Sequence, residues 1–129
     1  MEYTNLLTGI QHIGMPVNDI EDTICFYERL GFSVALETQN GKDKVAFMQL
    51  KNLVIELYEG EASNVQNGAI NHFAIDVKNI EEVFKAVKNL GVNLLTPEIQ
   101  ALPFWEKGVR FFTITGPNNE KIEFCERLV

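Results

Sequence analysis

The stretch that decides the fold is Ile10-Gln11-His12-Ile13-Gly14-Met15-Pro16-Val17-Asn18-Asp19-Ile20-Glu21. It returns 60 residues on as Ile70-Asn71-His72-Phe73-Ala74-Ile75-Asp76-Val77-Lys78-Asn79-Ile80-Glu81. Ile10, His12, Val17, Ile20 and Glu21 recur unchanged, and Leu30-Gly31 comes back as Leu90-Gly91. Each copy then closes on a strand-like run that sets a glutamate among apolar residues: Val54-Ile55-Glu56-Leu57 and Lys121-Ile122-Glu123-Phe124. The sequence holds 2 histidines, and both occupy the duplicated position. Two His and two Glu related by an internal repeat are the inventory of a divalent metal site, because imidazole nitrogen and carboxylate oxygen suit the same ions.

A repeat of about 60 residues buries too little surface to be comfortably stable alone, so the copies are expected to pack on each other or on a partner chain. With 129 residues, 46% of them hydrophobic and 9 of them Phe, the chain has the means for one folded domain. The expected organisation is a single domain over 1–129, with one module over 8–59, a polar Gly/Asn-containing linker over 60–68 and a second module over 69–127. A net charge of -7 excludes a nucleic-acid surface, which depends on clustered Lys and Arg. Arginine is confined to Arg29, Arg110 and Arg127, so a substrate bearing several carboxylates or phosphates finds few bidentate partners. No apolar run approaches the roughly 18 residues of a membrane span, and the first residues lack a basic-then-apolar pattern. The cytoplasm is the default location. Cys25 and Cys125 stand in unrelated contexts, helix and strand, and read as reduced, semi-buried small residues.

Along the first copy, a strand over 9–17 leads to a helix over 19–30, capped by Asn18 or Asp19 and stopped by Gly31. Its apolar stripe reads Ile20, Ile24, Tyr27 and Leu30. Strands follow over 32–38, 44–50 and 53–58, with Asn40-Gly41 and Lys51-Asn52 as the turns between them. The second copy repeats the order. A strand covers 69–77, and a helix 80–90 follows, with Asn79 as its cap, Glu82 in the capping-box position, and Ile80, Val83, Phe84, Val87 and Leu90 as its stripe. Strands are expected over 92–95, 109–115 and 121–126, and the segment 97–108 is longer than its counterpart. The pattern is βαβββ, twice.

Strand alternation brings the four polar groups to one side. Ile13, Met15 and Val17 face one way, as do Phe73, Ile75 and Val77, and these bulky faces belong under the helices. His12 shares the other face with Gly14, and His72 shares it with Ala74. Ile55 and Leu57 oppose Glu56, and Ile122 and Phe124 oppose Glu123. If the first and last strands of each copy are neighbours, His12, Glu56, His72 and Glu123 converge in a cleft. Cys125 lies two residues past Glu123 and shares its face.

These residues resemble the vicinal oxygen chelate superfamily, which includes glyoxalase I, extradiol dioxygenases, methylmalonyl-CoA epimerase and the fosfomycin- and bleomycin-resistance proteins. The likeness rests on Gln11-His12-Ile13-Gly14, on Ile24-Cys25-Phe26-Tyr27-Glu28-Arg29-Leu30-Gly31-Phe32, on Val54-Ile55-Glu56-Leu57, on Asn71-His72-Phe73-Ala74 and on Lys121-Ile122-Glu123-Phe124. It implies an α+β fold in which two βαβββ modules form a half-open mixed β-barrel, commonly in a homodimer. It also implies one divalent ion per site, Ni, Co, Zn or Mn, held by His12, Glu56, His72 and Glu123, the four-ligand pattern closest to glyoxalase I. Two features depart from that enzyme. Pro16 stands where its glutathione-binding arginine would be, and Asn119 stands in the turn where the family places glycine, a position that asparagine tolerates.

The implied activity is that of a lyase or isomerase acting on a small oxygenated molecule by proton abstraction next to a carbonyl. Glu123, or failing it Glu56, is the base. Arg110, Trp105 and Phe104 are candidate substrate contacts. A metal-dependent epimerase and a fosfomycin-type thiol transferase or hydrolase use the same cradle. A drug-binding protein of the bleomycin-resistance kind needs no such ligand set. An extradiol dioxygenase is disfavoured, because no third histidine remains to serve as acid–base group.

Overall fold

The structure, a computed structural model, describes residues 3–6, 8–60 and 70–129. The chain divides into two compact units, residues 1–61 and 62–129. The expected linker falls outside the described residues from position 61 onward. The fold class is α+β, as the resemblance implied; the first unit is built in the order the sequence suggested, and the second adds one short strand to it.

A short 3₁₀ turn at Tyr3–Leu6 precedes the first module, which consists of β1 (Ile13–Pro16), α1 (Ile20–Leu30), β2 (Ser33–Asn40), β3 (Asp43–Leu50) and β4 (Leu53–Tyr58). The sheet order is β1-β4-β3-β2, with β1 parallel to β4 and the other pairs antiparallel. Asp19 caps α1 by accepting the Asp22 N–H at 3.1 Å, and Gly31 ends the helix at a φ of 111°, a left-handed angle that only glycine adopts freely. The buried side of α1 is Ile20, Thr23, Phe26 and Tyr27. The expected stripe is therefore rotated: Ile24 and Leu30 are only half-buried, and Cys25, expected to be semi-buried, is exposed. Tyr27 carries the packing, fully buried and in edge contact with Phe26 and Phe32 at 5.1 Å each. Below the helix lie Met15, Ala46, Met48, Ile55 and Leu57, all buried. Burying a side chain such as Met48, Ile55 or Leu57 stabilises a fold by about 1.5–3 kcal/mol.

The second module comprises β5 (His72–Asp76), α2 (Ile80–Asn89), β6 (Asn93–Leu94), β7 (Gln100–Leu102), β8 (Val109–Thr115) and β9 (Lys121–Arg127). Its order is β5-β9-β8-β6, with β7 also on β8. β6 pairs with Ile114 and Thr115, and β7 with Val109 through Phe111, so together they replace the single strand β2 of the first module with a broken one. Pro97 accounts for the break, since proline has no N–H for a ladder. Across the gap the Thr113 N–H bonds the Thr96 hydroxyl oxygen at 2.9 Å, and the Thr113 carbonyl accepts the Leu95 N–H at 2.8 Å. Asn79 caps α2 at a φ of 56° by accepting the Glu82 N–H, and the Glu126 carboxylate of β9 accepts the Ile80 N–H at 2.9 Å. The start of α2 is thereby tied to β9. Phe112 is the core of this module, stacked on Phe124 at 4.8 Å and in edge contact with Phe84 at 5.0 Å.

Candidate metal centre

The parallel strand pair of each module has the same register. Gly14 of β1 lies opposite Glu56 of β4, and Ala74 of β5 lies opposite Glu123 of β9. Each histidine stands two positions before the small residue, so its ring reaches diagonally to the glutamate. His12 Nε2 is 3.3 Å from Glu56 Oε1, and His72 Nε2 is 3.3 Å from Glu123 Oε1. A bulky side chain at Gly14 or Ala74 would obstruct this approach. The pairing inferred from strand parity therefore holds inside both modules.

The other ring nitrogen is fixed in the same way in both copies. His12 Nδ1 is 3.0 Å from Gln11 Oε1, and His72 Nδ1 is 3.0 Å from Asn71 Oδ1. With the amide oxygen accepting from Nδ1–H, each Nε2 would be left free to face the glutamate as a ligand. At 3.3 Å a nitrogen and a carboxylate oxygen can share a proton or face a common cation. The donor set, imidazole and carboxylate with the imidazole oriented through its far nitrogen, is that of a first-row divalent ion such as Ni, Co, Zn or Mn. Among the described residues, no group of three or more His, Cys, Asp or Glu is placed to hold a metal. Each module offers two donors.

The surroundings of the pairs differ. Beside Glu56 the first sheet forms an open cavity of about 520 Å³, whose wall includes Thr38, Phe47 and Tyr58. Phe47 also meets the His12 ring edge-on at 5.7 Å. Beside Glu123 stand Thr113, directly across on β8, and Cys125, whose own neighbour on β5 is Asp76. Burial, reinforced by the charge of Glu123 and a hydrogen bond to it, pushes the Cys125 thiol above its usual range.

The three residues expected to meet substrate are not drawn to the pair of their module. Arg110 alternates with Phe112 and Ile114 on the helix-side face of β8, and its guanidinium donates to Glu81 at 2.8 Å, away from the face of Glu123. Phe104 and Trp105 are exposed in the loop before β8, where Trp105 holds a φ of 65°. The Arg127 guanidinium lies 4.2 Å from the Trp105 ring centroid, and Arg127 shares strand parity with Glu123 at the far end of β9. The sequence reading missed Gln11 and Asn71 as orienting groups. Their signal was present, since an amide precedes the histidine in both copies. It also missed Phe47 and Tyr58, which looked like ordinary strand residues.

No helix among the described residues is long and apolar enough to cross a membrane. A Bacillus subtilis protein of uncharacterised function, YwbC, is 32% identical over 125 residues, covering 92% of this chain and 97% of that protein. Among solved structures, a glyoxalase family protein from Enterococcus faecalis has a TM-score of 0.78 at 22% identity, covering 94% of this chain and 99% of that one. The fosfomycin resistance protein FosX from Listeria monocytogenes, complexed with Mn(II) and sulfate, has a TM-score of 0.72 at 21% identity, with 95% of each chain covered. Residues 9–124 match the profile of one family. The chain belongs to the Glyoxalase/Bleomycin resistance protein/Dioxygenase superfamily.

Proposed function

We propose that the protein is a metal-dependent lyase or isomerase of the glyoxalase I type, and that His12, Glu56, His72 and Glu123 together hold one divalent ion. The observation that supports this reading is the duplicated geometry: in each module an amide oxygen lies 3.0 Å from Nδ1 and a carboxylate oxygen 3.3 Å from Nε2. One ion takes a pair from each module, whether the second pair belongs to the same chain or to a second copy in a homodimer.

Bound there, a divalent ion would polarise a carbonyl and stabilise the negative charge that grows on oxygen as the neighbouring C–H proton leaves, an effect worth several kcal/mol. The protein's own part is positional. The two imidazoles are neutral and oriented, so they hold without adding charge, and the two carboxylates balance a doubly charged ion. One carboxylate then receives the substrate proton. Glu123 is the first choice because its side chain is 19% exposed against 27% for Glu56, so water competes less for it. A metal-dependent epimerase would use the same proton transfer.

Protein purified without chelator is expected to carry one divalent ion for every two His–Glu pairs. With that ion it should exchange the carbon-bound proton of a 2-hydroxycarbonyl compound in deuterated water, and chelator should stop the exchange. Protein that binds none of Ni, Co, Zn or Mn overturns the reading.

A further inference from the structure

Resting on that reading, we propose that the substrate carries an uncharged, polyhydroxylated arm, and that this arm lies in the cavity of the first module beside Glu56. The cavity, about 520 Å³, has far more room than a chelating hydroxycarbonyl pair needs. Its wall is mixed in a specific way. Phe47 and Tyr58 supply aromatic surface, Thr38 and Asn40 supply a hydroxyl and an amide, and Glu56 and Glu59 supply carboxylate oxygens.

Three candidate arms meet this wall differently. An anionic arm would face Asp43, Glu56 and Glu59 with no Lys or Arg in the lining, on a chain of net charge -7. Lys42 and Lys44 flank Asp43 in sequence, but neither lines the cavity, and the Lys44 Nζ lies 3.1 Å from Glu21. A hydrocarbon arm would cover hydroxyl, amide and carboxylate groups without replacing their bonds to water. An ammonium arm only donates, which leaves the amide N–H groups and hydroxyl protons without acceptors. A polyol both donates and accepts, and its C–H faces suit an aromatic wall.

The test uses four probes that share one 2-hydroxycarbonyl end: a five-carbon ketose, its terminal phosphate, an amine-terminated hydroxyketone of similar length, and hydroxyacetone, which lacks the arm. Binding is followed by titration calorimetry and by NMR of the aromatic side chains, on protein with and without added Mn(II). The ketose should bind at least about tenfold more tightly than each of the others, as expected of several added hydrogen bonds, and it should shift the Phe47 and Tyr58 resonances. Y58F and T38V, which keep shape and remove a hydroxyl, should each weaken ketose binding about fivefold and leave hydroxyacetone unchanged. Equal or tighter binding of the phosphate or the amine, no advantage of the ketose over hydroxyacetone, or no binding at all overturns the proposal. Selective ketose binding without proton exchange would sustain it and sink the catalytic reading instead.

Discussion

The two modules hold the same pair of donors at the same 3.3 Å, yet the sheets around them differ. In the first module an unbroken β2 extends the sheet, and a bulge between Val34 and Leu36 brings Leu36 and Thr38 onto the side of Phe47 and Glu56. In the second module the corresponding edge is broken at Pro97, and the neighbours of Glu123 are a threonine, a thiol and a second carboxylate. Duplication has kept the His–Glu pairs alike while the sheet edges diverged, which accords with the proposed roles, the substrate arm beside Glu56 and the base at Glu123.

The comparison can be broken most directly at the histidines. Because both pairs are assigned to one ion, H12A and H72A should each weaken metal binding by more than about 100-fold, beyond the usual cost of losing an outer-shell group. Titration calorimetry with Ni, Co, Zn and Mn salts measures this, and loss in only one variant would mean that the modules do not share an ion. At the glutamates the halves should differ: E123Q should reduce turnover by about 10²–10⁴-fold, the span of general-base catalysis, and E56Q by less. The reverse order in steady-state assays would exchange their roles. For the orienting amides the halves should again agree, with Q11L and N71L each lowering metal affinity by about 10–100-fold.

Smaller effects probe the frame. A Cβ at Gly116 would overlap the Glu120 carboxyl group, the far end of a flexible side chain that can swing aside but would loosen its bond from the Asn118 N–H at 2.7 Å, so G116A should cost about 0.5–1.5 kcal/mol in urea unfolding. A Cβ at Gly14 would meet nothing nearer than Tyr58 at 3.6 Å, as Ala74 already shows in the other half, so G14A should cost less than about 1 kcal/mol. Smallest of all, a maleimide should label the exposed Cys25 faster than Cys125, whose raised thiol pKa leaves less thiolate at neutral pH.

Much of this was legible in the chain. The repeat gave the module order, and strand parity placed His12 with Glu56 and His72 with Glu123, because one face of each strand is uniformly bulky. Parity failed where both faces are apolar: Phe111-Phe112 gave no hint that Arg110 lies on the helix side, where Glu81 binds it. The bulge at Val34/Leu36 was invisible because an inserted residue leaves no periodic trace, and it left Leu36 half exposed, at 52%. β7 was missed because its three residues are all exposed and carry no burial pattern. Asn119 was read correctly, with a φ of 61° in the turn before β9.

The amide ahead of each histidine has a consequence over the lifetime of the molecule. Spontaneous hydrolysis of Asn71 to aspartate would leave an acceptor at Nδ1 but make it anionic, so the ring would keep its tautomer and become a more electron-rich ligand. Chemical ageing at that residue would then retune one of the two proposed imidazole ligands alone, and two initially matched halves would drift apart with time.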